Sequence, residues 1–302
     1  MPHSLDFTMS ISQPTTRRDA HSRAWHGFET RSMPEVDPWI ETLGRLGHFA
    51  KGLVYFVIGL LAFKLAIGAG GEISGSRDAI REIGQQSYGR ILLGLTTIGL
   101  FGYTAWRWVQ AGKDTEGAGH DAKGIIKRAG YMVSGAAYLA LGVFAGSLAL
   151  GLGSSSGGNS GNGLTSGLLS SSWGQVLLGI VGVITVGVAI YFVYKAYYAK
   201  FMTSYNLFEM GETTRKVALH VGRMGLSTRA IAFAIIGGFI ITSAYRGTAD
   251  GEIAGMSDAL AAIAAQSYGK ILIGIVGFGL MCYAIHMALL GWYRKFNVNE
   301  SH

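Results

Sequence analysis

Cysteine is nearly absent, with Cys282 alone in 302 residues. A lone thiol excludes an intrachain disulfide and any cysteine-built metal site, and inside an apolar run it reads as a small buried apolar residue. Proline is almost as scarce. Of four prolines, Pro34 and Pro38 stand just before the first apolar run and none lies inside one, so no run carries a helix breaker. Charge is low too: 14% of residues are Asp, Glu, Lys or Arg, against 49% hydrophobic residues and 46 glycines. A single soluble domain of this length is thereby excluded. Catalytic signatures are missing as well. The eight histidines form no HExxH and no His-x-x-His pair, and there is no P-loop, no GxSxG elbow and no strand-bound dinucleotide fingerprint. No catalytic residue, metal site or cofactor is expected, and His120 beside Asp121 reads as ordinary polarity in a solvated loop.

What the chain has is long apolar runs. A helix crossing the bilayer core needs roughly 20 residues, and six runs qualify: Gly47 to Gly68, Tyr88 to Val109, Gly130 to Gly151, Trp173 to Tyr194, Leu226 to Ala244 and Tyr268 to Leu290. Each is continuously apolar rather than alternating, which favours helices over barrel strands. The many glycines suit close helix approach in lipid. Gly142-Val143-Phe144-Ala145-Gly146 and Gly274-Ile275-Val276-Gly277-Phe278-Gly279 read as such faces.

The runs are repeated. Gly251-Glu252-Ile253-Ala254-Gly255 and Gln266-Ser267-Tyr268-Gly269 restate Gly71-Glu72-Ile73-Ser74-Gly75 and Gln86-Ser87-Tyr88-Gly89 at an offset of 180. Ser172-Trp173-Gly174 begins a third, degenerate copy between them. Three two-helix units follow, an all-α polytopic membrane protein whose six helices form three hairpins with pseudo-threefold symmetry. Residues 1–38 form a polar tail without a secretory h-region, expected to be disordered and cytoplasmic. Repeat 1 covers 39–114, repeat 2 covers 115–201 and repeat 3 covers 202–296, the second and third each with a cytoplasmic lead-in, and 297–302 is a tail.

Each repeat opens with Arg-x-Gly: Arg45-Leu46-Gly47, Arg128-Ala129-Gly130 and Arg223-Met224-Gly225. Eight residues after the glycine stands an aromatic, Tyr55, Tyr138 or Phe233, and twelve after it another glycine, Gly59, Gly142 or Gly237. Positions eight and twelve share a helix face, so an aromatic-over-glycine contact recurs. Two readings stand for the arginines. Each snorkels to phosphate at the interface, or the three converge to bind an anion or an anionic lipid head group.

On the opposite side, Ser76-Arg77-Asp78-Ala79-Ile80-Arg81-Glu82-Ile83 and Ser257-Asp258-Ala259-Leu260-Ala261-Ala262-Ile263 read as short helices lying along the interface. Ser76 and Ser257 are the expected N-caps, Asp78 and Asp258 suit the first turn, and Ile80, Ile83, Leu260 and Ile263 are expected to face the membrane core. The middle copy replaces this element with an uncharged Ser/Gly linker from Ser154 to Gly163. Three intramembrane polar residues stand out, because an ionisable group at mid-bilayer costs about 2.5–3.5 kcal/mol on insertion scales. Lys64 snorkels outward or faces the interior. Arg107 lies near the inner end of its run. His286 is either functional or a neutral imidazole bonded to a carbonyl.

The Arg-x-Gly start, the following aromatic and glycine, the loop aspartate and the threefold repetition resemble the bacterial family called domain of unknown function 1206. The resemblance runs from about Trp39 to Phe296, with the middle copy departing in its outer loop. It implies a six-helix topology and carries over no activity, cofactor or catalytic residue.

Only Lys64, Arg77, Arg81, Arg90, Arg246 and Lys270 of the 25 basic residues fall on the side of the outer loops around Asp78, Ser160 and Asp258. The positive-inside rule therefore puts both termini in the cytoplasm of a bacterial inner membrane. The net charge of +7 calls for no nucleic acid. The expected partners are the bilayer, anionic lipid at the cytoplasmic face and a membrane protein of unknown identity. Three functions remain open at this level: a module that binds or passes a small solute or ion, a structural or assembly subunit of a membrane complex, and, third in order, a membrane enzyme.

Overall fold

The structure, a computed structural model, describes residues 38–115, 117, 119–152, 171–246 and 256–295. The polar N-terminal tail, the Ser/Gly linker with Ser160, the glycine-rich stretch 251–255 and the C-terminal tail lie outside these residues. Among the described residues, eight α-helices are formed: α1 (Pro38–Ala66), α2 (Ser76–Gln85), α3 (Gly89–Lys113), α4 (Ala122–Ala149), α5 (Ser172–Tyr197), α6 (Glu212–Arg246), α7 (Met256–Ala264) and α8 (Gly269–Tyr293), with 3-10 turns Lys200–Ser204 and Leu207–Glu209 between α5 and α6. Pro38 takes the first position of α1, where a missing N–H is harmless.

Helices α1, α4, α5, α6 and α8 are long and apolar enough to cross a membrane. The chain is a multi-pass membrane protein. The run Tyr88 to Val109, expected to rank with these five, falls within α3, which is 25 residues long but more polar. Its hydroxyls answer to its own carbonyls, Thr96 to Leu92 at 2.7 Å, Thr97 to Leu93 at 2.8 Å and Thr104 to Leu100 at 3.0 Å. They therefore add no unsatisfied donor to an apolar setting.

The long helices neighbour one another in the order α4, α3, α1, α8, α6, α5. Among the described residues, α4 and α5 make no sustained contact with each other. The result is a horseshoe whose opening lies within the middle repeat. Glycines set its tightest seams. A Cβ on Gly59 would stand 2.6 Å from the Gly277 carbonyl oxygen, and one on Gly237 would stand 3.0 Å from the Gly182 carbonyl and 2.7 Å from Val186 Cγ2. At Gly142 the nearest obstacle is the Phe101 ring, at 2.8 Å. All three glycines are buried. Backbone meets backbone in the first two seams, which only small residues permit.

The two short helices depart from expectation. Ala79, Ile80 and Ile83 of α2 and Ala259, Leu260 and Ile263 of α7 are buried in the bundle core rather than turned to lipid. At one end of the horseshoe these apolar stripes join the common core. Ser76 is not the N-cap either. Gly75 is, and Asp78 accepts from its N–H at 3.0 Å. Ser257 likewise lies within the first turn of α7, behind Met256, with Asp258 beside it. The starts of α2 and α7 adjoin, since a Cβ on Gly75 would lie 3.3 Å from Ser257 Oγ.

At the opposite end, Phe201, Tyr205 and Met210 from the turns between α5 and α6 are buried in the same core. The segment is stapled to the end of α8 by Asn206 N–H to Tyr293 O at 2.7 Å and Lys295 N–H to Ser204 O at 3.0 Å. Both ends of the horseshoe are therefore filled by side chains.

Replacing Gly59 by leucine is expected to destabilise the protein by about 1–3 kcal/mol through overpacking against backbone. The same change at Gly238, where no atom lies within 4 Å of the added Cβ, is expected to be nearly silent. Thermal unfolding in a neutral detergent checks the pair, and equal losses would remove the seam from the account.

Candidate functional site

Each repeat sends two aromatic rings to the middle of the bundle: Tyr55 and Tyr103, Tyr138 and Phe192, Phe233 and Tyr283. They meet edge to face across the joins between repeats. Tyr103 stands 4.7 Å from Tyr138, Phe192 stands 5.5 Å from Phe233, and Tyr283 stands 4.9 Å from Tyr55, centroid to centroid. Edge-to-face pairing is the arrangement that the ring quadrupole favours.

Two cations occupy this aromatic setting. Lys51 stands one helical turn before Tyr55, and Arg229 one turn before Phe233; the matching residue in the middle repeat is Ser134, one turn before Tyr138. Lys51 is 4% exposed and Arg229 is 7% exposed. Lys51 Nζ lies 4.8 Å from the ring centres of Tyr103 and Tyr138 and donates to Tyr103 Oη at 3.0 Å. Arg229 stands over Tyr55, Phe192, Phe233 and Tyr283, at 4.6 Å from the last, and its Nη1 donates to Tyr283 Oη at 2.6 Å. Ring faces are negative and attract a desolvated cation by about 2 kcal/mol or more. Among the described residues, neither Lys51 nor Arg229 pairs with a carboxylate. The Arg229 Nε is buried without a hydrogen-bond partner. The site is thus rich in donors and positive charge, and it suits an anion.

A second tier closes it below. His48 Nδ1 lies 2.6 Å from the Gly44 carbonyl, so that nitrogen carries the proton, and Nε2 accepts from Arg294 at 3.2 Å. Arg294 also stands 5.3 Å over Trp106. Of the polar residues picked out in the sequence, Arg107 and His286 belong to this region. Arg107 donates to Tyr103 Oη at 2.9 Å and to Gln110 Oε1 at 2.9 Å, so it shares an acceptor with Lys51. His286 is 2% exposed, and its Nδ1 bonds the Tyr205 hydroxyl at 2.7 Å rather than a carbonyl. Burial holds the Tyr205 phenol well above its ordinary pKa, which keeps it a neutral partner. Lys64, half-buried in the last turn of α1, is thirteen residues and roughly 20 Å along the helix from Lys51.

The three repeat-opening arginines do a different job. Arg128 donates to the Ala111 and Gly112 carbonyls at 2.6 and 3.1 Å, at the end of α3. Arg45 reaches the Gly291 carbonyl at 3.2 Å and that of Trp292, at the end of α8, while bonding Glu41 at 2.8 Å. Arg223 reaches the Tyr197 carbonyl at 3.4 Å, at the end of α5. Each supplies donors and positive charge to a helix C-terminus that lacks intrahelical partners. Three separate helix ends are held. Arg128 also lines an open groove of about 480 Å³ with Trp108, Ile125 and Met132.

A family model described as Domain of Unknown Function (DUF1206) matches residues 46–114, 129–199 and 224–294. The chain belongs to this family. It is 35% identical over 267 residues to the uncharacterized protein YxxB of Bacillus subtilis (strain 168), an alignment covering 88% of this chain and 96% of that one. No solved structure matches. Each DUF1206 match starts one residue after a clamp arginine and encloses both aromatics of its repeat. In the sequence Lys51 and Arg229 are two of 25 basic residues, and the one signal that sets them apart is their place one turn before a repeated aromatic.

Arg128→Lys keeps the charge but loses the planar fork, and is expected to lower stability by about 1 kcal/mol, with Arg45→Lys similar. Because the clamps hold different helix ends, the double variant is expected to lose the sum of the two within about 0.5 kcal/mol. Thermal unfolding of the four proteins measures this; a double loss well short of the sum would mean that the arginines share one site.

Proposed function

We propose that this protein is a non-enzymatic membrane module that binds, and in that way can pass, a small anionic solute at the aromatic-lined centre. One observation carries the reading: Lys51 and Arg229 stand at the same helix position in the first and third repeats, buried and, among the described residues, without a carboxylate. Charge in an apolar interior is retained where something answers it, and buried ionisable groups in membrane helices mark solute paths. Aromatic faces answer part of this charge, and an anion answers the rest. The guanidinium fork and the tyrosine hydroxyls supply directional donors for it.

The same reading takes α3 as a sixth span. Its 25 residues extend roughly 37 Å, enough for the hydrocarbon core, and both its neighbours, α1 and α4, are apolar enough to cross. It also takes the three repeats as related by a pseudo-threefold axis along the membrane normal. The like aromatic pairs at the three joins support that, as do the like arginine clamps. In this arrangement both termini face the cytoplasm of the bacterial inner membrane, by the balance of basic residues, and the groove beside Arg128 meets anionic lipid.

Two measurements test these points. In neutral detergent, at least one of inorganic phosphate and dodecyl phosphate is expected to raise the melting temperature of the wild-type protein, and Lys51→Met or Arg229→Met to reduce that rise by about half or more; melting that neither anion shifts would remove the reading. For orientation, in a Cys282→Ser background, cysteine at Ser87 is expected to react with a membrane-impermeant maleimide in intact cells and cysteine at Thr213 to be protected. The reverse pattern would invert the topology.

A further inference from the structure

On the first helix of each repeat, four positions form one stripe along a face: Gly47, Lys51, Val54 and Ile58 in α1; Gly225, Arg229, Ala232 and Ile236 in α6; Gly130, Ser134, Ala137 and Leu141 in α4. In the first repeat the stripe is buried, with Val54 at 2% and Ile58 at 0% exposure, because α3 lies on it. A Cβ on Gly47 would meet Tyr103 backbone at 2.6 Å, and one on Gly225 would meet Tyr283 Cα at 2.5 Å. The third repeat is thus covered by α8 in the same way.

The middle repeat is not. No atom lies within 4 Å of a Cβ built on Gly130 or, across the opening, on Gly187 of α5. Gly130 and Ala137 are exposed and Ser134 half-buried. The uncovered stripe leads inward, since Tyr138, one turn after Ser134, carries Lys51 over its ring at 4.8 Å. Both ends of the horseshoe, by contrast, are filled: one by Ile80, Ile83, Leu260 and Ile263, the other by Phe201, Tyr205 and Met210. Among the described residues, the route to the cations that no helix covers runs sideways, between α4 and α5, at the depth of lipid chains.

We infer that the anion of the central site is the head group of a single-chain amphiphile, which enters from the bilayer between α4 and α5 and leaves its alkyl chain along the Gly130, Ser134, Ala137, Leu141 stripe. The inference rests on the anion-binding reading above and adds the class of ligand and its route. Charge complementarity selects the head, because Tyr138, next to Ala137 of the stripe, carries Lys51 over its ring. The stripe selects the tail, because Gly130, Ala137 and Leu141 are apolar and offer no side-chain donor to a hydrated ion. A free inorganic anion would have to shed its water in hydrocarbon before reaching the cations. An amphiphile already resident in the leaflet moves its head group only a short distance.

The test uses the full chain in nanodiscs of phosphatidylcholine, with dodecyl phosphate, inorganic phosphate and dodecanol as probes and thermal unfolding as the readout. Dodecyl phosphate is expected to stabilise saturably, and the other two, at equal concentration, not to. Ala137→Phe, which fills the stripe at an exposed position, is expected to raise the apparent dissociation constant for dodecyl phosphate by about tenfold. Ala136→Phe, exposed on a neighbouring face, is expected to leave it unchanged. Stabilisation by inorganic phosphate equal to that by dodecyl phosphate would overturn the amphiphile while leaving the anion site standing. Stabilisation by neither phosphate would overturn both, and equal stabilisation by dodecanol would reduce the site to a hydrophobic groove. An Ala137→Phe protein that binds like wild type would overturn the sideways route alone.

Discussion

The structure is organised around two positive charges that, among the described residues, stand in an apolar interior without a carboxylate. On insertion scales a lone charge at mid-bilayer costs about 2.5–3.5 kcal/mol. A desolvated cation over an aromatic face recovers about 2 kcal/mol, and a hydrogen bond to a tyrosine hydroxyl adds to that. Three rings surround Lys51 and four surround Arg229. These contributions are of the same order as the penalty, so the charges persist only while all six long helices hold their rings in place. Carboxylates would have satisfied the charges outright and left nothing for a ligand to do. Aromatic faces partly satisfy them and leave the donors directed inward.

Repetition explains how such a centre arises from simple parts. One unit supplies an arginine at the helix start, a close-approach glycine, a position one turn before an aromatic, and a second helix with its own ring. Copies 1 and 3 put a cation in that position, and copy 2 puts Ser134 there. The same middle copy leaves its own two helices apart. Where the cation is missing the cover is missing too among the described residues, so their centre is charged on two sides and uncovered on the third.

The helices were legible in the sequence because continuous apolar runs without proline admit little else, and the glycine-and-aromatic register was legible because it recurs three times. The partners of the register were not. Tyr55 meets Tyr283 across a join between the first and last repeats, a contact 228 residues apart in the chain, which no local spacing encodes. The stripe of Ile80 and Ile83 fits an interface as well as a bundle core, and only the packing at the end of the horseshoe decides between them. The turns Lys200–Ser204 and Leu207–Glu209 have no periodicity to read, yet they insert Phe201 and Tyr205 beneath His286.

An open arrangement of helices needs something a closed one does not. Helices α4 and α5 stand at the two edges, each with one long neighbour, and would be the first to separate. Two of the three arginine clamps act there: Arg128 ties α4 to the end of α3, and Arg223 ties α6 to the end of α5. The third, Arg45, binds the first long helix to the last. Each clamp crosses between repeats rather than within one, as do the seams at Gly59, Gly142 and Gly237. All three joins between repeats are thus clamped, while among the described residues the contact within a repeat is missing only in the middle one. That division of labour is what allows the middle repeat to open while the centre it faces stays assembled.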